Sequence, residues 1–170
     1  MDLSTYIRDI PNFPKSGVVF KDITPLLKDP KALTLATESL LDFITDAKVD
    51  KVVGVDSRGF IFAPLLAQKI GAGFVPVRKS GKLPFDTLSE SYDLEYGAET
   101  LHIHSDAIEK GDKVLVHDDV LATGGTAKAV CQLVERLGGE VVQCNFLIQL
   151  TFLNGADKLK GYPIRSLLQY

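Results

Sequence analysis

Apolar and polar positions alternate along this chain in two distinct rhythms, and each rhythm predicts an element. Leu33, Ala36, Leu40, Leu41 and Ile44 recur at helical spacing, which predicts a helix over Lys31–Thr45. A short helix is also predicted over Ser4–Asp9, ahead of the Pro- and Gly-rich stretch IPNFPKSGVVFKDITPLL (10–27). KVVGVD (51–56) is a nearly unbroken apolar run, the pattern of a strand buried on both faces. SRG then reads as a turn, Phe60–Ile70 as a helix, and GFVPVRK (73–79) as the next strand. KVLVHD (113–118) is a further strand. Ala127, Val130, Cys131, Val134 and Leu137 mark one face of a helix over Ala127–Leu137, stopped by Gly138-Gly139. EVVQCNFLIQL (140–150) closes the series as a strand.

Apolar strands alternating with helices predict one α/β domain spanning 1–170, with a central parallel sheet covered by helices on both faces. Ligands bind such sheets outside the carboxyl ends of the strands. VGVDSRG and LVHDDVLATGG both place their polar residues there. The segment 80–106 differs. SYDLEY and ETLHIH alternate with period two, which predicts a hairpin outside the main sheet, attached by a flexible SGKLPFD loop.

Composition narrows the function classes. A formal net charge of -3, with no long run of one sign, disfavours a broad nucleic-acid surface. No stretch reaches membrane-spanning length and no signal-like N-terminus is visible, so the expected location is the cytoplasm. Cys131 and Cys144 lack a CxxC arrangement and read as buried, reduced thiols.

The stretch VLVHDDVLATGGTAKAV (114–130) carries the most chemistry. ATGGT after a strand and before a helix forms a phosphate cradle. Small residues let backbone N–H groups approach an anion, Thr123 and Thr126 add hydroxyl donors, and the helix N-terminus adds partial positive charge. The Lys of a Walker loop and the GxGxxG of a dinucleotide fold are both absent, which points to a monophosphate. Asp118 and Asp119 would repel that phosphate if aimed at it. At the loop entrance they can accept from sugar hydroxyls or face a hydrated Mg²⁺. A ribose 5-phosphate satisfies loop and acids together. The plainer alternative is a capped loop flanked by surface acids.

This stretch resembles the phosphoribosyl-pyrophosphate signature of type I phosphoribosyltransferases. FPKSGVVFKDITPLL (13–27), VDSRGFIFAPLLA (55–67), VRKSGKLP (77–84), SYDLEYG (91–97) and the terminal SLLQY are similar, in order, to the adenine phosphoribosyltransferase family. The resemblance implies a Rossmann-like type I phosphoribosyltransferase fold with a small hood or lid hairpin. It also implies transfer of phosphoribose to adenine, giving AMP and pyrophosphate in purine salvage, by a homodimer acting on small molecules.

It further implies roles for particular residues. Asp118, Asp119, Ala122, Thr123, Gly124, Gly125 and Thr126 would hold the phosphoribose. Ser57, Arg58, Arg78, Lys79 and Lys82 would hold the pyrophosphate, where Arg binds bidentately and Lys as a point charge. The Asp56-Ser57 peptide is commonly cis in the family. Arg58, Lys79 and Glu95 are the implied catalytic groups, Glu95 moving a proton near purine N7 from a lid that excludes water, with Tyr96 beside it as a packing group. Main-chain groups of Val19 and Lys21 would read the adenine edge while Phe20 stacks on the ring. Mg²⁺ would arrive on substrate and water, with no direct protein ligand.

Two positions depart from the family pattern. Lys21 stands where Arg is frequent, and a Lys there could instead reach a 6-oxo group. His117 stands where an aliphatic residue is usual, and a strand-end His reads as a hydrogen-bonded structural residue. His102 and His104 read as the polar face of a hairpin strand, with no metal-site spacing. Two alternatives stay open: transfer to another purine such as hypoxanthine or xanthine, and a non-catalytic regulator that binds phosphoribosyl pyrophosphate.

Overall fold

The computed structural model describes residues 1–44, 48–94 and 96–170. Two compact units divide the chain, Met1–Ser39 and Leu40–Tyr170.

The first unit opens with a 3-10 turn, Leu3–Tyr6, whose N-cap Asp2 accepts from the backbone N–H of Ser4 at 2.9 Å. The helix expected over Ser4–Asp9 is corrected here. The chain straightens at Ile7 and Arg8–Pro11 forms strand β1. The single turn lacks the length to propagate, and Pro11 and cis Phe13-Pro14 follow. β1 pairs antiparallel with β2 (Val19–Asp22) in a two-stranded sheet, with Asp9 opposite Lys21 and Ile10 opposite Phe20. Ahead of the short helix α1 (Thr24–Lys28), whose N-cap is Ile23, Asp22 Oδ1 accepts from the Thr24 N–H at 2.9 Å. Asp29 caps α2 (Pro30–Leu41), accepting from the N–H groups of Lys31 and Ala32, with Pro30 at the first helical position. The helix expected to reach Thr45 ends as a 3-10 turn over Asp42–Ile44, and Thr45 itself lies outside the described residues.

The second unit holds a seven-stranded sheet. Its elements are β3 (Lys51–Val55), α3 (Gly59–Ile70), β4 (Gly73–Lys79), β5 (Thr87–Asp93), β6 (Ala98–His104), β7 (Lys113–Leu121), α4 (Gly125–Arg136), β8 (Glu140–Gln149) and β9 (Ile164–Gln169). The strand order is β5-β6-β4-β3-β7-β8-β9. β4, β3, β7, β8 and β9 run parallel. β9 has no counterpart in the periodicity reading.

The hairpin β5–β6 is not outside the main sheet, and that expectation is corrected. β6 pairs antiparallel with β4 at Arg78↔His102 and Lys79↔Leu101, so the hairpin extends the sheet past its parallel part. β4 would otherwise end as an exposed strand edge with unpaired backbone groups.

The connections fix where a ligand can sit. From β3 the chain crosses through α3 to β4 on one side. From β7 it crosses through α4 to β8 on the other. Right-handed crossovers in opposite directions place α3 and α4 on opposite faces. Val53, Val55, Val114 and Val116 pack with Ala127, Val130 and Val134 of α4 in one buried cluster. On the α3 side Phe62 meets His117 edge-on, with ring centroids 6.0 Å apart. Gly54 lets α3 lie close to the sheet, since a Cβ there would stand 2.7 Å from that of Ala63. Phe62 and Phe146 are fully buried, and truncating either to Ala costs about 3–5 kcal/mol. The strand order reverses between β3 and β7, and the crevice beyond their carboxyl ends is the position such sheets use for ligands. Among the described residues no helix is long and apolar enough to cross a membrane.

Candidate active site

Two connected depressions occupy that crevice. The larger, of about 290 Å³, is lined from four directions: Val55, Asp56, Ser57 and Arg58 after β3, Lys79 at the end of β4, Tyr92, Glu99 and Leu101 of the hairpin, and Asp118, Asp119 and Thr126 around β7 and α4. The smaller, of about 60 Å³, follows the loop itself and includes Asp118, Ala122, Thr123, Gly124 and Thr126. It holds several times the roughly 10–15 Å³ that one water needs on this measure.

The loop is shaped by close backbone contact. Gly124 is the N-cap of α4 in the left-handed region, at φ 84°, and no side chain caps the helix among the described residues. Its first N–H groups therefore remain for an anion, with the helix dipole behind them. A Cβ on Gly124 would stand 2.3 Å from the carbonyl oxygen of Gly155. One on Gly155 would stand 2.2 Å from that of Ala122. The 3-10 turn Gly155–Leu159 thus braces the loop from beneath, backbone against backbone. Thr126 donates from its hydroxyl to Tyr92 Oη at 2.9 Å, and Gly125 makes room for the Tyr92 ring.

Strand β7 continues through both acids to Leu121, so they are held by a ladder and not by a loop. Asp118 Oδ1 accepts from the Asp119 N–H at 2.9 Å. Burial, reinforced by the neighbouring Asp119, pushes the Asp118 carboxyl well above the ordinary carboxylate range. Burial also raises Asp119, while the Arg58 guanidinium pulls it the other way. Arg58 Nε lies 2.8 Å from Asp119 Oδ2.

Cations collect on the opposite wall. Lys79 pairs with Glu99 at 3.0 Å. Arg78 Nε is 3.1 Å and Lys82 Nζ 3.7 Å from Asp56 Oδ2, and Arg78 also donates to the Lys82 carbonyl. The Asp56-Ser57 peptide is cis.

A family profile described as a phosphoribosyl transferase domain matches residues 24–162. The chain belongs to the phosphoribosyl transferase family. It is 61% identical over 170 residues to the adenine phosphoribosyltransferase of Christiangramia forsetii, covering 100% of this chain and 99% of that one. The crystal structure of adenine phosphoribosyltransferase from Rhodothermus marinus superposes with a TM-score of 0.95 at 56% identity, covering 99% of this chain and 96% of that one. The Saccharomyces cerevisiae enzyme, complexed with an imino-altritol bisphosphate and adenine, superposes at 0.91 with 40% identity, covering 98% and 96%.

Of the residues expected to serve a phosphoribosyltransferase, Ser57, Arg58, Lys79, Asp118, Asp119 and Thr126 meet in the larger cleft, and Ala122, Thr123 and Gly124 in the recess beside it. Gly125 opens α4 and lies against Tyr92. Arg78 and Lys82 are not among the cleft-lining residues themselves but pair with the carboxylate of Asp56, which is. Tyr96 is 81% exposed. Glu95 lies outside the described residues. Val19, Phe20 and Lys21 lie on β2 of the first unit. Among the described residues that strand pairs with β1. Lys21 Nζ is 2.6 Å from Asp9 Oδ1 across the strand pair.

Tyr92 and Glu99 line the cleft without having been singled out by motif reasoning. The signal was present: Leu88, Glu90 and Tyr92 alternate on the half-buried face of β5. His117 is fully buried, donates from Nδ1 to Asn145 Oδ1 at 2.7 Å, and is held down to a pKa of about 4, chiefly by burial. It is a structural group.

Proposed function

We infer that this chain transfers the phosphoribosyl group of phosphoribosyl pyrophosphate to N9 of adenine, releasing pyrophosphate and forming AMP in purine salvage. The observation that carries this reading is the meeting of a small recess at a helix N-terminus with a cleft that holds a buried acid pair and the cations Arg58 and Lys79. The full-length kinship with adenine phosphoribosyltransferases supplies the base.

In this reading the loop 122–126 seats the 5-phosphate on backbone N–H groups and two hydroxyls. Asp119 and Asp118 accept from the 2′- and 3′-hydroxyls. Arg58 and Lys79 receive the pyrophosphate, so that charge developing on the leaving group meets fixed cations. Substrate exchanges the internal Arg58–Asp119 and Lys79–Glu99 pairs for its own charges, which limits the desolvation cost of either partner. Glu95 moves the purine proton, and the hairpin shields C1′ from water, with 80–86 as its flexible tether. Mg²⁺ would arrive on the substrate and water, where it would neutralise pyrophosphate charge beside Asp118 and Asp119.

Val19 and Lys21 read the adenine edge by main chain, and Phe20 stacks on the ring. The Lys21 ammonium lies on Asp9, which supports adenine over a 6-oxopurine. The reading also takes the protein as a cytoplasmic homodimer. Buried free Cys131 and Cys144 fit a reducing compartment, and light scattering of the purified protein checks the dimer.

The deciding assay incubates the protein with Mg²⁺ and phosphoribosyl pyrophosphate plus adenine, hypoxanthine, guanine or xanthine in turn. AMP alone is expected. A nucleotide from an oxopurine at a comparable rate reassigns the base, and no nucleotide from any base leaves a non-catalytic binder.

A further inference from the structure

We propose that Tyr92 is a positioning residue for the phosphoribose seat, its hydroxyl forming with Thr126 a two-member relay that aims the threonine proton at the 5-phosphate. The proposal rests on the reading that residues 122–126 hold that phosphate.

Three observations place Tyr92 in this role. Its Oη accepts from Thr126 Oγ1 at 2.9 Å, so a hydrogen-bond donor of the loop is engaged by the hairpin. Its ring lies against the start of α4, where a Cβ on Gly125 would come within 2.8 Å of ring carbon Cδ2. Its strand is fastened to the same helix at a second point, since Arg136 reaches both the Ser89 carbonyl and Glu90 Oε2 at 2.7 Å. β5 is thus tied to both ends of α4, at Tyr92 and at Ser89–Glu90.

A threonine hydroxyl has one proton. While it points at Tyr92 it cannot serve a phosphoryl oxygen. The tyrosine hydroxyl also has one proton and can donate as well as accept. With phosphate in the recess, Thr126 turns its proton to the anion and Tyr92 turns its own to the vacated lone pair of Oγ1. The oxygens keep their places and each proton stays on its own oxygen. Donation into Oγ1 polarises the threonine O–H and strengthens its bond to the anion. The direction of one hydrogen bond then reports phosphate occupancy to the hairpin.

The test is a double-mutant cycle read as phosphoribosyl pyrophosphate affinity, KM and kcat. Tyr92→Phe keeps the ring on Gly125 and removes the hydroxyl. It is expected to raise Kd and KM for phosphoribosyl pyrophosphate about five- to tenfold, with KM for adenine and saturated kcat unchanged. In a Thr126→Ala background the same change is expected to add nothing, because the relay has already lost its outer member. Wild-type affinity in Tyr92→Phe, equal losses in both backgrounds, or a loss confined to kcat would each overturn the relay. If Thr126→Ala itself binds normally, the phosphate seat is misplaced and both readings fall. If Thr126→Ala binds weakly while Tyr92→Phe is silent, only the relay falls.

Discussion

Arg58 Nε lies 2.8 Å from Oδ2 of Asp119, so the cation assigned to pyrophosphate and the acid assigned to the sugar hydroxyls hold each other across the cleft. Both are thereby kept oriented without a counterion from solvent. Asp119 is 4% exposed, and burial disfavours its charged form.

Asp119→Asn removes that charge at constant size. Phosphoribosyl pyrophosphate affinity is expected to fall about 10- to 100-fold, the range for losing a hydrogen bond to a charged group. The melting temperature should hold or rise, because a carboxyl whose folded pKa is raised destabilises the fold when ionised. Isothermal titration and thermal melts measure the two effects, and wild-type turnover would remove Asp119 from the site.

His117 makes a pH prediction. Its folded pKa is about 4, below the usual 6.5. Below pH 6.5 the unfolded chain takes up a proton that the folded chain refuses, so stability falls as pH drops from 6.5 towards 4. The full loss is about 3 kcal/mol. Urea midpoints measured across that interval should fall less in His117→Leu than in the wild type. Equal slopes would place the titration elsewhere.

Gly155→Ala tests the brace under the phosphate loop. Its Cβ would meet the Ala122 carbonyl at 2.2 Å, so the loop backbone must shift. A stability loss of about 1–3 kcal/mol is expected from the overpacking, together with weaker binding of phosphoribosyl pyrophosphate. Equilibrium dialysis at a temperature where the variant remains folded separates the two. Unaltered affinity would show that the loop tolerates displacement.

Cys131 and Cys144 face each other with Sγ atoms 3.5 Å apart, and both are buried. The mutual hydrogen bond, then burial, pushes the Cys131 thiol far above its ordinary range. Since thiolate is the reactive form, Ellman's reagent should find no free thiol in the native protein and both in urea. Rapid native labelling would contradict the packing of α4 on β8.

The parallel strands were legible because burial on both faces leaves almost no polar residue within them. Their ends were less so. Reading β7 as stopping at Asp118 missed that it runs to Leu121, because charge normally marks a strand's exit, and here the acids stay in the ladder. The hairpin was legible from its alternation, but its attachment rests on Arg78↔His102 and Lys79↔Leu101, a pairing of distant segments that no local pattern encodes. Loop 122–126 was legible from small residues before a helix. The contribution of Gly155 was not, since a lone glycine among NGADKL carries no periodic signal.

The contact of Gly155 with Ala122 and Gly124 sets an order of events during synthesis. The loop 122–126 leaves the ribosome well before the turn that it packs on. A nascent chain halted ahead of that turn carries the loop 122–126 without the backbone it packs against.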